Sequence, residues 1–213
     1  MSDASAKHRF PLWVLLTILV LYLLDQASKW YVVFNFELPQ PYWLDRVSVI
    51  AGSSFMNFDL VRLHNNGVAF GAGSGTVWAP YVFLSIQVIA LVGLVWFFRK
   101  GVFSTRLLKL AWALIITGVI GNMTDRLLQG FFLPGAEQLS FWQNLSKGYV
   151  VDFLDFSFPW IVTESFPHGY HWPSFNVADS CVCIAATLFV IASFFTPGGE
   201  QKGKEEQPDT PES

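Results

Sequence analysis

Four runs of apolar residues organise the chain, and polar residues collect between them. A bilayer-crossing helix needs about 20 mostly apolar residues, and each run is long enough. The first covers about 11–33 (PLWVLLTILVLYLLDQASKWYVV). The second, 77–98, carries no charge, and the third, about 106–128, ends in GNMTDR. The fourth is about 176–195 (NVADSCVCIAATLFVIASFF). Two long connections remain, roughly 34–76 and 129–175. The first contains WLDRVSVI and SSFMNFDLVRLH among Gly and Asn turn signals, the pattern of short strands. The second is rich in Trp, Phe and Pro, which suits a membrane interface. The pattern predicts an all-α membrane protein: four transmembrane helices with a small outward-facing β-rich element on the membrane surface.

Composition supports this reading. Charged residues make up 14% of the 213 positions, against roughly 25% in soluble domains. The net charge of −3, with no basic patch, argues against a nucleic-acid partner. The length fits one domain, taken here as residues 1–196. The polar, Pro/Gly-rich tail 197–213 is expected to be disordered and cytoplasmic. Cys181 and Cys183, two apart in a helix, face different directions and read as small apolar residues. Lys7 and Arg9 precede the first run as in a signal peptide. Asp25 would occupy a cleavage-site position that wants a small residue, so an uncleaved helix is expected.

Charge also sets orientation. Lys7, Arg9, Arg99, Lys100, Arg106, Lys109, Lys202 and Lys204 are eight of the 13 Lys and Arg, and four spans place them all on one side. That side should be the cytoplasm, with both termini. The outer ends of three spans then carry polar groups at one depth: Asp25 and Lys29, then Asn122, Asp125 and Arg126, then Asn176 and Asp179. Asp152, in YVVDFLDF, can fold back to the same level.

Ionisable groups at membrane depth usually pair, face the protein interior and mark function. Plainer readings stand beside this one. Asp25 and Lys29, at i and i+4, suit a structural ion pair. Asp125 and Arg126 suit ties between helices, with Arg126 reaching the interface. Asn176 suits a helix N-cap, and Asp179 reads as lying beyond the first turn. HNNGVAFG (64–71) suits a tight turn. No HExxH or GxSxG stretch is present. His168 and His171 lack further ligands nearby, so neither metal nor cofactor is expected. Two carboxylates brought close cannot both ionise readily. The ionised one takes a proton from water, and the protonated one supports the oxyanion of an attacked peptide carbonyl. A proton-coupled transporter or channel using the same acids is the alternative, although a relay would want groups spread along its path. A scaffold without chemistry is a third reading.

Read in order, DQASK (25–29), NNGVAFG (65–71), GNMTDR (121–126), VVDF (150–153) and FNVADS (175–180) resemble the boxes of the lipoprotein signal peptidase (signal peptidase II) family. The resemblance runs from about residue 10 to 196. It implies a multi-pass aspartic endopeptidase of the bacterial inner membrane, with its active site near the outer face. Such enzymes remove the signal peptide from a diacylglyceryl-modified prolipoprotein, just before the lipidated cysteine, and globomycin inhibits them. The implied partners are that substrate and membrane lipid; a monomer is expected. Box by box, the catalytic pair falls on Asp152 and Asp179. Asp125 and Arg126 would order the site, and Asn122 and Asn176 would be polar supports. Asp25, Lys29, Asn65 and Gly67 match boxes that shape it. Two stretches, near 131–149 and 156–174, are longer than the family pattern and read as inserts. Asp155 is a rival to Asp152, which is preferred because it fills the VVDF position.

Overall fold

The structure, a computed structural model, describes residues 10–39, 45–67, 78–167 and 169–195. Lys7, Arg9, residues 68–71, His168, Lys202, Lys204 and the tail 197–213 therefore lie outside the described residues.

The four apolar runs form helices α1 (Leu12–Asn35), α2 (Ala79–Arg99), α3 (Arg106–Leu128) and α5 (Val177–Phe195), each long and apolar enough to cross a membrane. At 1.5 Å per residue they match a hydrocarbon core about 30 Å thick. Helix α3 is central and packs against α1, α2 and α5. Its buried residues run from Ala111 to Arg126, whereas Leu12, Leu19, Ile89, Val92 and Phe194 on the other three are exposed. Those outer side chains suit lipid, which needs no packed partner.

Small residues let α5 approach α3. A Cβ on Gly121 would sit 2.6 Å from Asp25 Oδ2 and 3.0 Å from Ala178 Cβ. At the opposite end, Thr105 caps α3 by accepting from Leu108 N at 3.2 Å. Trp112 Nε1 donates to Leu94 O at 2.8 Å, and its ring lies among Phe10, Phe98 and Phe103. This ties α2 to α3 beside their short turn.

The connections build an antiparallel sheet in the order β1-β2-β3-β4. Strands β1 (Arg46–Ile50) and β2 (Asn57–Asn65) come from the first connection, as its pattern predicts. Strands β3 (Val150–Phe158) and β4 (Tyr170–His171) come from the second, so the sheet is larger than the first connection alone supplies. The reason is local: residues 150–153 are all buried, and a strand covered on both faces loses the alternation that advertises it. The sheet packs on the end of α1 through Val32, Phe36, Tyr149, Val151 and Phe153. Arg62 Nη1 donates to Val33 O at 2.8 Å and Phe36 O at 3.0 Å, satisfying carbonyls at the α1 C-terminus.

Each insert has its own structure. The first turns through Gln129–Phe132 and Ala136–Gln138 into α4 (Phe141–Ser146), started by a Ser140–Gln143 capping box. Tyr81 Oη fixes it to α2 by donating to Trp142 O at 2.7 Å. The second leaves β3, returns as β4 and enters α5. Trp172 N donates to Phe156 O at 2.8 Å and Phe175 N to Leu154 O at 3.1 Å.

Candidate active site

One turn of α1 supplies the first two charges. Asp25 and Lys29 share a face and meet at 2.9 Å, both fully buried. Lys29 Nζ also lies 3.1 Å from Asp125 Oδ2 and donates to Asn122 Oδ1 at 2.9 Å. The ammonium has three donors and here three acceptors. Asp25 also accepts from Ala178 N at 2.8 Å and Gln26 Nε2 at 3.0 Å. Asp125 also accepts from Val151 N at 3.0 Å and Gln26 Nε2 at 3.2 Å. A buried ion pair holds together only when its remaining polar atoms are also satisfied, and these are. The group joins α1, α3, α5 and β3 at one point.

The start of α5 supplies the second group. Asn176 Oδ1 accepts from Asp179 N at 3.0 Å, and Asp179 Oδ2 accepts from Asn176 N at 3.2 Å. This reciprocal pair is a capping box with Asp in the third position. The cap expected of Asn176 is present. Asp179, expected beyond the first turn, instead lies within it, because the helix starts at Val177. The helix dipole favours a carboxylate there.

The sheet supplies the third. Asp59 pairs with Asp155 and Leu60 with Leu154, but beyond a bulge Leu63 pairs with Asp152 and Asn65 with Val150. An unbroken register would set Arg62 opposite Asp152. Because side chains alternate, Asn65 would then face away from Asp152. The extra residue returns it to the same face, and Asn65 Nδ2 donates to Asp152 Oδ2 at 2.9 Å. Asn65 Oδ1 accepts from Gly67 N at 3.1 Å. His64 is no acid here. It accepts from Arg62 Nε at 3.1 Å and stacks on Tyr149. Burial, with the Arg62 charge second, pushes it down to about 3.

Amides join the two remaining carboxylates. Asn176 Nδ2 donates to Asp152 Oδ1 at 2.7 Å and lies 3.2 Å from Asn122 Oδ1, while Asn122 Nδ2 donates to Asp179 Oδ1 at 2.8 Å. Asp152 and Asp179 line one cavity of about 480 Å³ with Asn65, Gly67, Phe83, Asn122, Arg126, Val150 and Trp172–Phe175. Burial, reinforced by the Asp179 charge, pushes Asp152 up to about 7 against the hydrogen bonds from Asn65 and Asn176. Arg126 lies over the Phe83 ring at 4.9 Å, and its Nη2 donates to Gly67 O at 3.3 Å. Its buried Nε and Nη1 have no hydrogen-bond partner among the described residues.

The ten residues matched to the family boxes thus fall in two adjoining clusters, and the rival Asp155 falls in neither. Asp25, Lys29 and Asp125 form the ion cluster; Asn65, Gly67, Arg126, Asp152 and Asp179 line the cavity, as does Asn122, and Asn176 links its two acids. Sequence reading passed over Gln26, which bridges Asp25 and Asp125, although it stands inside DQASK. It also passed over Phe83, in a charge-free span, and the Trp172–Ser174 wall, in an insert; neither carries a local chemical signal.

The sequence model described as Signal peptidase (SPase) II matches residues 17–195. The chain is 33% identical over 188 residues to a lipoprotein signal peptidase of Alteromonas mediterranea, covering 86% of this chain and 80% of that one. It is 30% identical over 184 residues to that of Psychromonas ingrahamii, covering 86% and 84%. A solved structure described as a bacterial membrane enzyme, determined in meso at 2.3 Å, superposes with a TM-score of 0.63 at 27% identity, over 96% of this chain and 98% of that one. With four membrane-length helices and matches over most of its length, this chain belongs to the signal peptidase II family.

Proposed function

We propose that the chain is an aspartic endopeptidase in which Asp152 and Asp179 activate water to cut a diacylglyceryl-modified prolipoprotein before its lipidated cysteine. The observation carrying this reading is that these two carboxylates, from different elements, line one cavity and are held by neutral amides. The pair shares one proton and titrates as a unit, and Asp152 at about 7 puts its second ionisation near neutral pH.

The ionised carboxylate takes a proton from water, whose oxygen bonds to the scissile carbonyl carbon. The protonated carboxylate donates to the carbonyl oxygen as it becomes an oxyanion. Transfer of a proton to the leaving nitrogen breaks the C–N bond. The products are the signal peptide's new carboxylate and the free amine of the lipidated cysteine. Arg126 Nε and Nη1 offer donors to substrate carbonyls beside the pair. Asn65, Gly67, Asn122 and Asn176 set the carboxylate orientations, and Asp25, Lys29 and Asp125 hold the frame. Helices α2 and α3 contribute Phe83 and Arg126 to the cavity and α5 contributes Asp179. A substrate anchored by acyl chains, worth about 0.8 kcal/mol per buried CH₂, approaches sideways from the bilayer between α2 and α5.

The same reading makes residues 1–196 one peptidase domain, with the 131–149 and 156–174 inserts near the site. The protein is a monomer of the bacterial inner membrane, with both termini cytoplasmic and the sheet and cavity on the outer side. Globomycin occupies the cavity. The test is cleavage of a diacylglyceryl-modified prolipoprotein by purified wild type, Asp152→Asn, Asp179→Asn and Asp125→Asn, with folding followed by thermal melting. Wild type cuts, the first two are folded and inactive, and the third keeps part of its activity. A normal rate in either of the first two overturns the assignment.

A further inference from the structure

Asp155 is buried in β3 and pairs directly with Asp59 of β2, which is also buried. Facing carboxylates destabilise a sheet unless each finds its own partner. Asp59 takes Arg46 Nη1 of β1 at 3.0 Å. Asp155 takes Ser174 Oγ at 3.0 Å and His171 Nδ1 at 3.4 Å, both from the chain returning out of the second insert. Arg46, Asp59, Asp155 and His171 therefore form a row across all four strands.

That returning chain is tied to β3 by backbone on either side of Pro173 and Ser174, but not at those two residues. β4 is two residues long and pairs only through His171 with Ser157 and Tyr170 with Phe158. After it, Trp172 N donates to Phe156 O, and Phe175 donates to Leu154 O and accepts from Phe153 N and Leu154 N. Between them Pro173 has no N–H to give, and Ser174 is held to the sheet by its side chain on Asp155. Trp172, Pro173, Ser174 and Phe175 all line the cavity containing Asp152 and Asp179; Asp155 does not.

We propose that Asp155 is a positioning residue that seats the Trp172–Ser174 part of the cavity wall through Ser174 and His171, so that substrate binding depends on it and bond cleavage does not. The inference rests on the peptidase reading above. His171 is half exposed, so its arm is screened by solvent and weak. The Ser174 hydroxyl on a buried carboxylate is the stronger arm.

The test is steady-state cleavage by the full chain in lipid nanodiscs, with a diacylglyceryl-modified prolipoprotein as substrate. Asp155→Ala raises KM about tenfold, the loss expected from one hydrogen bond to a charged group, and leaves kcat within about twofold. Asp155→Asn keeps an acceptor for Ser174 and restores most of the KM. Ser174→Ala raises KM alone, and it decides the matter if Asp155→Ala fails to fold. In an Asp152→Asn background, the dissociation constant for uncleaved substrate rises by the same factor. A fall in kcat at constant KM, or no change in either, overturns the proposal. A wild type that does not cut overturns the peptidase reading instead. The binding measurement then judges the positioning role, and equal affinity of wild type and Asp155→Ala sinks it.

Discussion

Two pairs of buried aspartates lie a few side chains apart and are treated differently. Asp25 and Asp125 share the Lys29 ammonium, and each accepts from three donors. Asp152 accepts from Asn65 and Asn176, and Asp179 from Asn122 and the backbone of Asn176, with no cation bonded to either among the described residues. A carboxylate bonded to a buried ammonium is fixed as a member of an ion pair. One held by neutral amides is fixed in place without a bonded cation, and for Asp152 burial then pushes it up to about 7. Residue type alone does not distinguish the two pairs; the partners do.

The largest expected effect concerns the amide-held pair. Asp152→Asn or Asp179→Asn lowers cleavage by about 10³-fold or more, as for loss of a general acid or base, while the melting temperature holds or rises. A melting temperature that collapses with activity would move these residues into the frame.

Next comes Lys29→Met, which leaves Asp25 and Asp125 buried without their shared cation. It costs about 3–5 kcal/mol, read as a large drop in melting temperature in lipid or detergent. An unchanged melt would remove the contrast between the two pairs.

The third effect is a pH dependence. Asp152, raised in the fold to about 7 from 3.8, binds its proton more tightly folded than unfolded. Its contribution to stability is complete below about pH 4 and is lost as pH rises through about 7. Wild type therefore loses melting temperature relative to Asp152→Asn between pH 4 and pH 8. Parallel curves for the two proteins would contradict the raised value.

Asp125→Asn has the smallest effect. Its side-chain oxygen still accepts from Lys29 or from Val151 N, and one charge is lost. It costs about 1–3 kcal/mol and leaves measurable cleavage. Inactivity equal to that of Asp152→Asn would place Asp125 in the reacting pair.

How much was legible in the sequence follows from which forces are local. The four spans were, because each is a continuous apolar run. The Asp25–Lys29 pair was, because i,i+4 spacing is a property of one helix. The candidate residues were found through the five boxes and the family resemblance; composition and spacing alone gave a polar cluster at one depth. Strand β3 was hidden by burial on both faces. The first-turn place of Asp179 was hidden because a capping box with Asp in its third position is easily read as a residue beyond the first turn. The Asp59–Asp155 pairing depends on cross-strand register between segments nearly 100 residues apart, and the Trp172–Phe175 wall depends on the chain returning to β3 after the 156–174 stretch, so no local pattern announces either.

The β2 bulge divides the chain into regions that tolerate changes of length and one that does not. Closing a longer loop costs only about 0.6 kcal/mol per doubling of its length, so the two inserts can change length at little expense outside β4 and the Trp172–Ser174 wall. Strand β2 instead counts by parity. Removing His64, beyond the bulge, would leave every box intact as a string of letters and turn Asn65 away from Asp152.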